Sequence, residues 1–285
     1  MTGTVPVVRS VKALRDQVFA WKAEGLQVGL VPTMGALHHG HLSLVDAIAA
    51  KVDRVVVSIF VNPTQFGEGE DFDTYPRTEE NDRRKLATTP ASLVFAPNAN
   101  EMYPNGFATK VSVGGISDKF EGALRPDHFN GVATVVSKLL LQCLPDVAIF
   151  GEKDFQQLAV IRRFVADLNI PVQIMGGTLI REEDGLAASS RNAYLSAEER
   201  KVAGQFNVIL KDLVAAVKSG TPLRQAEEKA SSRLLAAGFK SVDYISVVDP
   251  DSLEILDTFD RTARVIAVAR IGSVRLLDNM AIDLE

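Results

Sequence analysis

Cysteine is nearly absent from this 285-residue chain: Cys143 stands alone. A single thiol excludes an internal disulfide and suits a reducing compartment. It lies in the apolar run VVSKLLLQCL, where a thiol reads as a small buried hydrophobe, not a nucleophile. An excess of positive charge is missing too. A net charge of −5 argues against a duplex-binding protein, which shows a basic patch or stripe, so no nucleic-acid partner is expected. No stretch reaches the ~18 uninterrupted apolar residues of a membrane helix. The opening MTGTVPVVRSVKALRD has no apolar core of a signal peptide, so the expectation is a cytoplasmic protein without a membrane partner. Internal repeats and low-complexity segments are absent as well. What is left, 46% hydrophobic and 24% charged, is the balance of a globular protein long enough for two unequal domains.

Hydrophobic periodicity sorts the chain into elements. Ser10 can cap a helix whose apolar positions Val11, Leu14, Val18 and Trp21 follow a 3.6-residue period, with Gly25 as its stop. QVGLVP and RVVVSIFV read as buried strands, the second breaking at Asn62-Pro63; HLSLVDAIAAKV between them reads as a helix. After a polar stretch (67–85), SLVFAP and KVSV are strand-like, GVATVVSKLLLQCL is a helix stopped by Pro145, DVAIFG a strand, FQQLAVIRRFVADLN a helix and PVQIM a strand. Strands that are apolar throughout and alternate with helices describe a parallel sheet covered on both faces. The expected fold is α/β: a Rossmann-like, doubly wound parallel-sheet domain over 1–180, with its ligand beyond the C-terminal strand ends. The pattern changes afterwards. Ser196 and Glu199 make a capping box for a helix running to about Ser219, Thr221-Pro222 caps another ended by Gly238, and three strands follow. Residues 181–285 are therefore expected to form a smaller α+β domain with an antiparallel sheet.

Four polar, glycine-bearing segments fall at or near predicted strand ends. In VPTMGALHHGH, three of the four histidines (His38, His39 and His41) stand together. Zinc is one reading, but only His128 and Cys143 remain as further nitrogen or sulfur ligands, and no carboxylate has a recognisable ligand spacing. Phosphate explains more of the residues: Gly35 and Gly40 allow close backbone approach, and a helix starting near Gly40 offers unpaired N–H groups and a positive dipole end. Histidines there can donate to phosphate oxygens, or they can merely decorate a helix start. FVNPTQF puts Asn62 and Gln65 on a proline-stiffened turn, where neutral amides suit a substrate with hydroxyls and a carboxylate, or simply satisfy the turn. FGEKDFQQ places Gly151 at a strand end, Lys153 and Asp154 at a helix start and Gln157 one turn on. Lys153 there can meet a phosphate or form an ordinary surface pair. In REEDGLAASSRNAYLS, the hydroxyls of Ser189 and Ser190 beside Arg191 make a polyphosphate clamp, an interdomain linker, or both.

Taken in order, PTMGALHHGH, SIFVNPTQFG, YPRT, FGEKDFQQL and REEDGLAASSRN resemble the motifs of the pantothenate synthetase (pantoate–β-alanine ligase) family in sequence and spacing, over essentially the whole chain. That family belongs to the H-x-G-H nucleotidyltransferases. The resemblance implies a pantoate carboxylate attacking the α-phosphate of ATP, then β-alanine attacking the acyl adenylate. Mg²⁺ carried with ATP would neutralise part of the charge. It implies ATP contacts from Met34, Gly35, Ala36, Leu37, His38, His39, Gly40 and His41, with His41 as proton donor and His38 beside it. Gly151, Glu152, Lys153 and Asp154 match a second ATP segment, and Ile180 with Ala188, Ser189, Ser190 and Arg191 an adenine-side strand and a flexible clamp. Gln65 and Gln157 match the pantoate amides, with Asn62 beside them. His39 stands where the family more often has glutamate and is given no mechanistic role. The resemblance further implies a homodimer formed through the N-terminal domain, with 181–285 acting as a lid.

Two other readings compete. Another H-x-G-H adenylyltransferase would share the cradle but not the glutamines at 65 and 157. A non-catalytic nucleotide-binding module would lack the lysine and arginine clamp.

Overall fold

A computed structural model describes residues 4–67 and 69–284. The first three residues of the segment read for a leader, position 68 of the polar stretch and residue 285 lie outside the described residues. Two compact units are present: residues 1–152 with 156–178, and residues 153–155 with 179–285. Lys153–Phe155, placed in the first domain from sequence, thus groups with the second unit.

The first unit holds strands β1 (Val7–Val8), β2 (Val28–Thr33), β3 (Arg54–Ile59), β4 (Ala91–Phe95), β5 (Val147–Gly151) and β6 (Gln173–Gly177). Its helices are α1 (Val11–Ala23), α2 (His39–Ala49), α3 (Glu79–Leu86), the short α4 (Ala99–Met102) and α5 (Phe120–Leu124), α6 (His128–Cys143) and α7 (Phe155–Asp167). All strand pairs are parallel, in the order β1-β4-β3-β2-β5-β6. Val28, Leu30, Val31 and Val55–Val57 are fully buried, as continuous apolar strands between two helical layers must be. From β2 the chain winds outward through β3 and β4, then crosses back to β5 and β6. The order therefore reverses between β2 and β5, whose C-terminal residues are Thr33 and Gly151, and such a reversal opens a ligand crevice.

Ser10 caps α1 through the Ala13 amide, as its sequence predicts. Cys143 is buried among apolar side chains, and burial pushes its thiol up to about 12. One expected strand fails, and two elements had no reading from sequence. KVSV is not a strand: the Val111 amide donates to Thr134 Oγ1 (2.9 Å) and the Val113 carbonyl accepts from Ser117, so side chains replace the ladder. The 67–85 stretch contains α3, whose sequence EENDRRKL has too few apolar residues to reveal its buried face of Asp82 and Leu86. The two-residue β1 is too short to show periodicity.

The second unit comprises α8 (Ala197–Ala203), α9 (Gln205–Lys218), α10 (Leu223–Ala237) and an antiparallel sheet β7 (Ser241–Val248), β8 (Ala263–Ile271), β9 (Val274–Ile282). The Ser196/Glu199 capping box is present, but the expected single helix divides at Gly204, where a Cβ would lie 3.3 Å from the Asp184 carbonyl. Gly238 ends α10 at φ +110°. Among the described residues, no helix is long and apolar enough to cross a membrane.

Candidate active site

Beyond β2 the chain makes a left-handed turn. Thr33 Oγ1 donates to the Ser58 carbonyl (2.7 Å) and accepts from the Gly35 amide (3.2 Å). Gly35 has φ +81°, and a Cβ there would sit 3.1 Å from both Asp82 Oδ2 and Ile59 Cγ2. Ala36 follows at φ +50°, which is costly for a residue with a Cβ. The Ala36 and Leu37 amides converge on the carboxylate of Asp82, at 2.9 and 2.8 Å, and Lys85 Nζ donates to the Leu37 carbonyl. Leu37 itself is a core side chain. The sequence led us to expect unpaired N–H groups at the helix start near Gly40. Of these, the Gly40 and His41 amides donate inside the protein, as do those of Gly35, Ala36, Leu37 and His38 in the turn before them.

The histidines carry out part of that work. His38 is the N-cap of α2, its Nδ1 accepting from the Gly40 amide (3.2 Å), and His41 Nδ1 accepts from the His38 amide (3.3 Å). This is a capping box built from two imidazoles. A ring whose Nδ1 accepts carries its proton on Nε2, so both rings are neutral Nε2–H tautomers. Their centroids lie 4.0 Å apart. His39 is exposed.

Beyond β3, Asn62 caps the short 3-10 turn Pro63–Gln65. Asn62 was expected to bind substrate, but it is 1% exposed and spent internally. Its Oδ1 accepts from Tyr103 Oη (2.7 Å) and Thr64 Oγ1 (3.0 Å), while its Nδ2 donates to the Gly131 carbonyl and to Gln65 Oε1, both at 3.2 Å. Its amide therefore positions Gln65, whose Nε2 donates to Met34 Sδ at 2.9 Å. These two predicted site residues, from two adjacent strand ends, are thus in direct contact. Helix α6 closes on the turn at Gly131, where a Cβ would be 2.1 Å from the Thr64 carbonyl oxygen.

One support was missed from sequence. His128 Nδ1 bonds the Gln65 carbonyl at 2.8 Å, which requires Nδ1–H and makes Nε2 the acceptor for Arg125 (3.2 Å). Arg125 holds Glu70 through two 2.6 Å bonds. Burial, then the Arg125 charge, pull the His128 pKa down, against the opposing pull of the Gln65 bond. Burial pushes Glu70 up, but the Arg125 bond and charge outweigh it and hold the carboxyl below its ordinary range.

Gly151, at the end of β5, pairs with Gly177, and a Cβ on it would meet nothing within 4 Å. Glu152 lies over β6, its Oε1 2.8 Å from where a Cβ of Gly176 would be. Gln157, in the first turn of α7, is half-buried.

In the second unit, Lys153 lies 3.6 Å from Asp154, and its carbonyl accepts from Asn279 Nδ2 at 3.0 Å. Residues 180–188 fold into a hairpin: the Ala188 amide donates to the Ile180 carbonyl and Glu182 to Leu186, around Gly185 at φ +85°. Arg181 anchors it by two bonds of 2.7 and 2.8 Å to the fully buried carboxylate of Asp278. Ala188 is buried, and Ser189 caps the 3-10 turn Ser190–Tyr194 through the Arg191 amide. The segment read as a clamp or a linker is a folded hairpin leading into a capped turn. Among the described residues, no group of three His, Cys, Asp or Glu is placed to hold a metal ion.

Known proteins match this arrangement. Residues 6–281 fit the family model described as pantoate-beta-alanine ligase. The pantothenate synthetase of Paramagnetospirillum magneticum is 56% identical over 283 residues, 99% of this chain and 100% of that protein. That of Caulobacter vibrioides is 52% identical over 279 residues, 97% and 98% of the two. The solved pantothenate synthetase of Thermus thermophilus superposes with a TM-score of 0.91 at 44% identity, over 98% of this chain and 100% of that one. A pantoate-beta-alanine ligase from Francisella tularensis, complexed with beta-gamma ATP and beta-alanine, superposes with a TM-score of 0.83 at 31% identity over 99% of both. With an imidazole capping box at the sheet's switch point and relatives matched end to end, the chain belongs to the pantoate–β-alanine ligase family.

Proposed function

We propose that the protein is an AMP-forming ligase that joins (R)-pantoate to β-alanine through an amide bond, with pantoyl adenylate as intermediate. In the first step a pantoate carboxylate oxygen bonds the α-phosphorus of ATP, the bond from that phosphorus to the β-phosphate bridge breaks, and diphosphate leaves. In the second, the β-alanine nitrogen bonds the acyl carbon, the acyl–oxygen bond to AMP breaks with its electron pair leaving on AMP, and the amine releases a proton to water. Two anions meet and a third departs, so positioning and electrostatic stabilisation dominate catalysis. The observation that carries the reading is the reciprocal His38–His41 cap, which fixes both rings as Nε2–H donors where the strand order reverses. Those donors serve the phosphates. Gln65 serves pantoate, held by Asn62 and bordered by Met34; Gln157 is its second amide.

Lys153, Ser189, Ser190 and Arg191 are assigned to the polyphosphate, with Gly151, Glu152, Asp154, Ile180 and Ala188 around the nucleotide. Mg²⁺ enters as part of the substrate, MgATP, because it keeps several waters and binds through substrate phosphates. The same reading makes the second unit a lid and the protein a cytoplasmic homodimer. Its test is ATP–diphosphate exchange with and without pantoate. Pantoate-dependent exchange is expected. Exchange indifferent to pantoate would overturn the reading in favour of an H-x-G-H adenylyltransferase for another small substrate.

A further inference from the structure

Asp82 is fully buried, and nothing in its helix announces a role at the histidines. It sits on α3, where Asp82 and Lys85, three residues apart, project from one face. Together they hold the two peptide groups that flank Leu37: Asp82 Oδ1 takes its N–H at 2.8 Å and Lys85 donates to its carbonyl. The other carboxylate oxygen takes the Ala36 N–H at 2.9 Å. Consecutive left-handed residues at Gly35 and Ala36 turn these amides toward one point, and such a nest is a binding concavity for an anion. Here the protein's own carboxylate fills it.

The grip leads directly to the reacting groups. Leu37 precedes His38, whose amide donates to His41 Nδ1 and whose Nδ1 accepts from Gly40. A shift of the 36–37 peptide moves the His38 amide, loosens the cap and frees both rings to change tautomer and rotamer. We infer that Asp82 is a positioning residue for the adenylation step. Its carboxylate occupies the turn's anion nest, so incoming phosphates meet the Nε2–H edges of His38 and His41, not the turn's own amides. The inference rests on the proposed reaction for its kinetic consequence, but its structural half stands apart from it.

The test pairs kinetics with the ring signals. Imidazole ¹⁵N spectra, assigned with His→Gln variants, are expected to show His38 and His41 as Nε2–H tautomers in the wild-type protein. Asp82→Ala should blur that pattern and lower kcat for pantoate-dependent exchange by ~10², the cost of a misplacement near 1 Å, with KM for ATP unchanged. Formate, a free carboxylate of the right size for the vacated nest, should restore both. Asp82→Asn, which keeps one acceptor but faces the second N–H with an NH₂, should fall in between without formate rescue. A folded Asp82→Ala protein with wild-type ring signals, or one that formate leaves unrestored, overturns the inference. If Asp82→Ala does not fold, Asp82→Asn decides: wild-type kcat and wild-type ring signals overturn it. Absence of pantoate dependence in the wild-type enzyme would fell the proposed reaction, while the ring signals would still settle the positioning role.

Discussion

Two turns leave neighbouring parallel strands, and each delivers side chains to the same crevice by a different physical means. The turn after β2 is gripped by charge: Asp82 and Lys85 fix its backbone, and the rings of His38 and His41 are oriented because each spends one nitrogen on the helix cap. The turn after β3 is held by neutral groups: Asn62, Thr64 and Tyr103 form a hydrogen-bonded cluster, and α6 presses against it at Gly131. In the first, the backbone is immobilised and the ring follows. In the second, the working amide is itself held at both ends, by Asn62 on the oxygen and Met34 on the nitrogen. A ring that must donate to phosphate needs a fixed tautomer, which an N-cap supplies. An amide that must both donate and accept needs a fixed orientation, which only partners on both atoms supply.

The largest expected effect separates the two jobs of His41. His41→Ala removes the donor and the cap, and adenylation should fall by ~10²–10³. Glutamine suits the third helical position as a capping-box acceptor. His41→Gln should therefore recover the cap's ~1 kcal/mol of stability while leaving the rate as low as in His41→Ala. A near-normal rate in either variant would reduce the histidine pair to a structural cap. Next in size is Gly131→Ala at the neutral turn. Alanine favours a helix over glycine by roughly 0.5–1 kcal/mol. Against that, the new methyl would lie 2.1 Å from the Thr64 oxygen and 2.5 Å from its carbon, both backbone atoms that cannot swing away. Overpacking of ~1–3 kcal/mol wins, so melting should drop and KM for pantoate rise more than KM for ATP. A stabilised variant would show that α6 does not set the Gln65 turn.

The two turns were also unequally legible. Strand ends, the histidine cluster and Gln65 followed from apolar runs broken by glycine and proline, which mark where parallel strands deliver their loops. The doubly wound order and the small antiparallel sheet followed from the same periodicity. Asp82 did not, because a buried carboxylate inside EENDRRKL has the sequence of a solvated helix face, and the Leu37 amide it holds lies 45 residues upstream. His128 was weighed as a metal ligand, since nothing local shows that its ring bonds a carbonyl 63 positions away. Asn62 was read correctly as a turn residue in one alternative and wrongly as a substrate ligand in the other. The difference lies in Tyr103 and Gly131, whose contribution is tertiary. KVSV failed for a related reason: its backbone partners are the hydroxyls of Thr134 and Ser117, which no pattern of alternation encodes.

The smallest predicted effect concerns pH and belongs to the neutral turn alone. Burial first, then the charge of Arg125, hold the His128 pKa below its ordinary value near 6.5. In the unfolded chain the ring takes up a proton as pH falls through about 6.5, while the folded ring stays neutral and keeps donating to Gln65. Below that value the unfolded state binds more protons, so the contribution of His128 is complete above about pH 6.5 and is lost as pH falls toward its folded pKa. Glu70 has the same sign in a lower window: its contribution is present above 4.5 and is lost as pH falls through its depressed folded value. His128→Asn keeps a donor near the Nδ1 position and removes the titration. Melting temperatures measured from pH 7 to pH 5 should therefore fall less steeply in the variant than in the wild type. The difference should fade as pH rises above about 6.5 and the unfolded ring also loses its proton. Equal slopes would mean that the ring is charged in the folded protein, and a charged ring could not accept from Arg125 at Nε2. The neutral turn would then need another account of how the Gln65 carbonyl is held.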